Sequence, residues 1–354
     1  MSKFLSPRLE QLEPYVPGEQ PQGRQFTKLN TNESPFPPAP GVISALSTAQ
    51  IEALNLYPDP DARDAHAELA AHFGLQPKNV LLGNGSDEIL AFCFQAFCDA
   101  ATPACYPDIS YDFYEVFARL FGLPTKVIPL NNDFCIDKTS YYMLGGTAFI
   151  ANPNAPTGLA LPLADIASIL ENNRRNVVII DEAYVDFGAE SARSLIDTYD
   201  NLLVVQTMSK SRNLAGARLG FALGNEELIK DLNRIKFSFN PYNVNRLSLL
   251  AATAALRDDA YFRQCTGEIR HVRTYTTDAL TARGFTVLHS AANFVFARPA
   301  AIGGKAYCER LRDEGVLVRH FNKARIGDYV RIAIGTQAQM DALLQATDNI
   351  LKAR

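Results

Sequence analysis

Residues 201–224 read NLLVVQTMSKSRNLAGARLGFALG, and the reading of that stretch decides the fold. It opens on an apolar run, 202–205, of a length that suits a strand buried on both faces. A polar turn follows, Thr207-Met208-Ser209-Lys210, and a second apolar run begins after Arg218. A lysine where a buried strand meets a turn is costly unless it has a partner or a chemical task. With its charge suppressed it is a nucleophile able to form a Schiff base with an aldehyde. The hydroxyls of Thr207 and Ser209, with Arg218 eight residues beyond the lysine, would together hold a dianionic phosphate. The plainer alternative is a surface turn carrying two ordinary cations.

On both sides of this stretch, short apolar runs alternate with helical patterns, which predicts an α/β fold with a largely parallel sheet. The runs are 80–82, 102–106, 126–130, 147–151, 177–180, 202–205 and 217–223. Helices are predicted over 41–54, 62–73, 87–98, 114–121 and 162–172, with Gly74 ending the second. Residues 1–40, rich in proline, read as an arm lying over the body. Beyond Phe237 the pattern changes: 244–288 is mainly helical, 293–297 and 329–334 alternate like half-buried strands, and 337–352 closes as a helix. The expected division is therefore an arm (1–40), a large domain (41–240) and a small α+β domain (241–354).

At 354 residues and 47% hydrophobic content the chain can bury a large core. Its net charge is −4 with scattered basic residues, which leaves no nucleic-acid footprint. No apolar run reaches the length of a membrane span, and the first residues lack the apolar centre of a signal peptide. Cys93, Cys98, Cys105, Cys135, Cys265 and Cys308 form no CxxC pair or His/Cys cluster. No metal site is expected; Cys93, Cys98 and Cys105, in apolar surroundings, read as buried free thiols, and a cytoplasmic location is expected.

Ligands in parallel α/β folds gather beyond the carboxyl ends of the strands, and several chemistry-bearing residues fall there. Gly83-Asn84-Gly85-Ser86-Asp87 runs from a strand into a helix N-terminus, whose free N–H groups would accept a phosphate. A capped helix after a tight turn would look the same. Asp181 directly follows a four-residue apolar run, and a carboxylate so buried needs a cationic partner. A pyridinium N–H would serve; an N-cap or a magnesium ligand are the alternatives. The phosphate loop of a P-loop NTPase, GxxxxGK[ST], occurs nowhere. Asn152-Pro153-Asn154-Ala155-Pro156 is a rigid turn at another strand end, and Tyr111 would either stack on a flat cofactor or fill core. Arg319 and Arg331 would either pair with internal carboxylates or grip an anionic substrate in forked geometry.

Taken together, the chain resembles the fold-type-I pyridoxal-phosphate aminotransferases, and within them the histidinol-phosphate aminotransferase family. The resemblance runs through KLNTNESPFPP, LYPDPDARD, LLGNGSDEI, PDISYDFY, ANPNAPTG, IIDEAYVDF, TMSKSRNLAGARLG and VRIAIGT, in that order over nearly the whole length. It implies a mostly parallel, mixed seven-stranded sheet flanked by helices, a smaller α+β domain, and pyridoxal 5'-phosphate as cofactor. Lys210 would be the Schiff-base lysine, with Ser209, Arg218 and Thr207 on the cofactor phosphate beside Gly85, Ser86 and Asp87. Asp181 would pair with the pyridine nitrogen, Tyr184 would bond the phenolic oxygen, and Tyr111 would stack on the ring. Tyr57 would reach across from the partner of a homodimer with shared active sites. Arg319 and Arg331 would take the anionic end of the substrate, near Tyr15 and Tyr242. One position departs from the family pattern: Ala155 stands where an asparagine is common, so either Asn154 shifts to reach the phenolic oxygen or Tyr184 serves it alone.

The implied reaction is transamination between histidinol phosphate and 2-oxoglutarate. Rival expectations on the same scaffold are an aromatic amino-acid aminotransferase and a threonine-phosphate decarboxylase. From another class, a non-catalytic ligand sensor would be expected to lack Lys210, Asp181 or Arg218, and all three are present.

Overall fold

A computed structural model describes residues 4–353 except 11, 22 and 24. In chain order its strands are β1 (Thr27–Lys28), β2 (Val80–Gly83), β3 (Ala104–Pro107), β4 (Thr125–Ile128), β5 (Thr147–Ala151), β6 (Val178–Asp181) and β7 (Leu202–Thr207). They continue with β8 (Gly220–Gly224), β9 (Phe285–Val287), β10 (Phe294–Pro299), β11 (Val316–Leu317), β12 (Arg319–His320) and β13 (Val330–Ala333). Seven of them form one sheet in the order β2-β8-β7-β6-β5-β3-β4. Only β8 runs antiparallel to its neighbours in that sheet. Every run expected as a strand around 201–224 is one, and the sheet is mixed but mostly parallel, as the resemblance implies.

The central strands are apolar without interruption because helices cover both faces. Leu202 and Val204 enter the core on one side of the sheet, Leu203 and Val205 the core on the other. Each such side chain, fully buried, contributes about 1.5–3 kcal/mol before conformational entropy is subtracted. Helix Arg63–Phe73 stops where expected, because Gly74 takes the left-handed conformation at φ +69°. Helix Glu226–Phe239 was not expected; its charge-rich stretch hides buried Ile229 and Leu232, and Asn225 caps it by accepting from the Glu227 N–H at 2.9 Å.

The smaller sheet, β12-β13-β10-β9, is antiparallel and is backed by helices Asp259–Ala282, Gly304–Asp313 and Gln337–Lys352. Helix Arg246–Arg257 instead buries Ala251, Ala252, Ala255 and Leu256 in the core beneath the large sheet. The arm is not merely draped: β1 pairs in parallel with β11, and Leu29 is buried in the core of the smaller lobe. The Ala333 N–H donates to the Leu29 carbonyl at 2.9 Å, so the residues after β1 are hung from both β11 and β13. All six cysteines are unpaired.

Candidate active site

The carboxyl ends of β5, β6 and β7, the start of β8 and the arm enclose a cavity of about 310 Å³. Lys210 lies in the turn after β7 and faces this cavity. Its ammonium donates to the Thr31 carbonyl at 3.4 Å. Burial pushes its pKa down to about 8; Arg331 and Arg218 push the same way, and Glu33 and Asp87 oppose them. A substantial neutral fraction at physiological pH is what a nucleophilic or basic amine requires.

Beside it the chain builds an anion cradle. Helix Ser86–Phe97 begins at the rim, and Gly85 ahead of it has φ +85°. Its positive φ favours glycine, and a Cβ there would lie 2.6 Å from the Arg218 guanidinium and displace that side chain from the cradle. Arg218 donates to Ser209 Oγ at 3.5 Å and to Asp87 Oδ2 at 3.3 Å, while Asp87 Oδ1 accepts from the Tyr111 hydroxyl at 2.7 Å. The Thr207 hydroxyl donates to Ser209 Oγ at 2.9 Å. Helix N–H groups, a hydroxyl pair and a guanidinium thus converge where a phosphate would sit.

Asp181, at the end of β6, is buried and accepts from Tyr114 Oη at 2.9 Å and from the Ala183 N–H at 3.3 Å. It makes no ion pair among the described residues, and burial pushes its carboxyl up to about 6. An acid in this state has room for a cationic N–H donor. Tyr114 went unnoticed in the sequence because it sits in the first turn of helix Phe113–Phe121 among phenylalanines and reads as core; only its hydroxyl betrays a role.

On the opposite wall, Arg319 in β12 and Arg331 in β13 are directly opposed across the strand pair. Like charges so placed repel unless an anion lies between them or a carboxylate neutralises them. Neither makes an ion pair among the described residues. Arg331 donates to the Asn30 carbonyl at 3.2 Å, and its buried Nε has no partner among the described residues. Its guanidinium stands 5.5 Å from the Phe294 and Phe321 ring centres. Arg319 donates to the Val16 carbonyl at 3.1 Å. Tyr15, stacked on Phe113 at 4.4 Å, completes this side.

Thus Tyr15, Ser86, Asp87, Tyr111, Asp181, Tyr184, Thr207, Ser209, Lys210, Arg218, Arg319 and Arg331 line one cavity. Asn154 is buried behind it: its amide donates to the Ile109 carbonyl and to Thr157 Oγ1 at 3.0 Å each, and its oxygen accepts from Ser110 Oγ. Tyr57 and Tyr242 stack on each other at 4.4 Å, largely exposed and away from the lining. Asn30, Thr31, Asn32 and Glu33 line the cavity without having been singled out, because they arrive from the arm.

Comparison with known proteins agrees with this geometry. Residues 24–346 match the family described as aminotransferase class I and II. The histidinol-phosphate aminotransferase of Brachyspira hyodysenteriae is 48% identical over 99% of this chain and 100% of that protein. Histidinol-phosphate aminotransferase 1 of Oceanobacillus iheyensis is 47% identical over 99% of each. The solved structure of the Sinorhizobium meliloti histidinol-phosphate aminotransferase in complex with pyridoxal-5'-phosphate superposes with a TM-score of 0.89, at 27% identity over 100% of this chain and 99% of that one. The chain therefore belongs to the class I and II aminotransferases, and within them to the histidinol-phosphate aminotransferase family.

Proposed function

We propose that this enzyme is a pyridoxal-phosphate-dependent transaminase that moves the amino group of L-histidinol phosphate to 2-oxoglutarate, giving imidazole-acetol phosphate and glutamate. The observation that carries the reading is the buried Lys210 amine, set between an acid and two opposed arginines that make no ion pair among the described residues.

The residues fit the cofactor. Asp181 has no cationic partner among the described residues and would hold the ring N–H. Gly85 leaves the cradle open, and Ser86, Asp87, Thr207, Ser209 and Arg218 would hold the phosphate. Tyr184 would bond the phenolic oxygen and Tyr111 would flank the ring. When bound, the cofactor supplies an electron sink for the charge left on the substrate carbon.

The chain supplies the rest. The Lys210 amine, neutral in part near pH 8, would take the proton from the substrate's amine-bearing carbon as general base and, once protonated, would give it back as general acid. Asp181, ionised above about pH 6, keeps the opposing nitrogen protonated. Arg331 and Arg319 hold the anionic end, phosphate in one half-reaction and carboxylate in the other, and so fix the scissile C–H against the lysine.

We also infer a homodimer with shared sites. Ile51, Leu54, Leu56, Tyr57, Phe237 and Phe239 are large apolar side chains left exposed on one chain, and Tyr57 stands clear of its own cavity.

The test of the reaction is a panel of amino donors, each mixed with the purified holoenzyme in a single half-reaction followed by absorbance. Histidinol phosphate should react with the highest second-order rate constant. A faster reaction with phenylalanine or tyrosine would replace the proposal with an aromatic aminotransferase, and release of carbon dioxide from threonine phosphate would replace it with a decarboxylase.

A further inference from the structure

Three consecutive residues of the arm each touch a different member of the site. The Asn30 carbonyl accepts from Arg331 at 3.2 Å, the Thr31 carbonyl accepts from Lys210 at 3.4 Å, and Asn32 Nδ2 donates to the Tyr184 hydroxyl at 3.1 Å. The first two contacts are made by backbone and would survive a change of side chain. The third is made by a carboxamide.

Asn32 is held for this contact. It is 1% exposed and sits at φ +54°, a left-handed conformation that asparagine tolerates better than other residues with a side chain. Its own carbonyl accepts from Asn293 Nδ2 at 3.0 Å, which anchors it to the loop ahead of β10. Its Oδ1 is buried with no partner among the described residues. The Tyr184 ring packs against Ala155, Ala292 and Phe294, all apolar, so Asn32 is the one hydrogen-bonding partner of its hydroxyl among the described residues. Asn154, the carboxamide nearest in sequence to this wall, is committed to Ile109, Thr157 and Ser110.

We propose that Asn32 is a positioning residue that acts through Tyr184, its amide N–H orienting and polarising the phenol that faces the cofactor's oxygen. In effect the arm delivers the carboxamide that position 155 lacks. A phenol that accepts a hydrogen bond is a stronger donor, because the bond stabilises the charge building on its oxygen. The inference rests on the proposed pyridoxal phosphate chemistry.

The experiment is a double-mutant cycle on the holoenzyme, reading the pH midpoint of the bound cofactor's absorbance rather than turnover. Asn32→Gly keeps the left-handed backbone available and deletes only the side chain. Arg331, Asp181 and Asp87 are the charged groups acting on the Tyr184 hydroxyl, and all three remain in the variant. In the Tyr184 protein the midpoint should rise by roughly 0.3–1 pH unit, with kcat reduced about 3- to 10-fold. In the Tyr184→Phe background the same substitution should leave the midpoint in place. An equal change in both backgrounds, or none in either, overturns the positioning role. If the unsubstituted protein forms no chromophore with added pyridoxal phosphate, the failure lies with the proposed function instead. An Asn32→Gly protein that does not fold is replaced by Asn32→Ala, which also deletes the donor without adding a charge, at the cost of some strain at φ +54°, with the same two outcomes.

Discussion

Lys210, Ser209 and Arg218 belong to a single connection of residues 208–219 between adjacent strands β7 and β8, whereas Tyr15, Asn30, Arg319 and Arg331 come from segments up to about three hundred residues apart. The first wall is wired internally, hydroxyl to hydroxyl to guanidinium. The second is held by backbone carbonyls of the arm and keeps a buried guanidinium N–H unpaired. A wall built on one sheet suits a permanent occupant, and one assembled from loosely coupled pieces suits occupants that alternate. The contrast supports the proposal that the cradle holds the cofactor and that the opposed arginines serve the two exchanging substrates.

That division can be attacked at three strengths. The largest effect is expected on the cofactor wall: Lys210→Ala should lower turnover by roughly 10²- to 10⁴-fold or more. If Tyr57 is lent to the neighbouring subunit, co-expressing Lys210→Ala with Tyr57→Ala should restore activity, because each heterodimer holds one site with both residues intact. Verified heterodimers that stay inactive would return Tyr57 to a surface role. On the substrate wall, Arg331→Ala should cost about 30- to 1,000-fold in kcat/KM for both half-reactions, with the cofactor still bound. A loss of solubility with normal kinetics in the surviving fraction would instead make Arg331 a structural residue.

The smallest effect concerns stability. Asp181 has its carboxyl raised to about 6 from the 3.8 of the unfolded chain, so the folded state binds the extra proton between those limits. Stability from this group is complete below about 3.8 and is lost as pH rises through about 6. Cofactor-free Asp181→Asn should therefore melt a few degrees higher than the parent at pH 7.5, with the advantage shrinking toward pH 5. An advantage independent of pH would show that the buried charge is already compensated.

The same contrast explains what could be read in advance. The residues at the ends of β6 and β7 were visible because an uninterrupted apolar run followed by Asp181 or Lys210 is a conflict on the page, and conflicts of burial ask for a reason. Arg218 was visible by its spacing from the lysine. The arm offered no such conflict: Asn30 and Asn32 are polar residues in a proline-rich stretch, and only the pairing of β1 with β11 carries them into the site. That pairing joins residues nearly three hundred apart, which no local pattern encodes. Tyr114 was hidden for the opposite reason, being one aromatic among many on a core-facing helix. The opposition of Arg319 and Arg331 depends on register across β12 and β13, and the sequence names the residues without naming the register.

The antiparallel course of β8 has a consequence for how this site tolerates change. A parallel neighbour to β7 would need a crossover that carries the chain back to the opposite end of the strands before it could begin. Because β8 turns straight back, with Gly220 opposite Thr207 and pressed against Ser86, the lysine and the arginine stay on the same rim within one short span. On the proposed reading, their spacing must match the cofactor's reach from aldehyde to phosphate. Adding or removing a residue between 210 and 218 would move the nucleophile relative to the phosphate clamp, and no repacking elsewhere could restore the distance. A substitution library can vary this segment in letters, but its length is fixed.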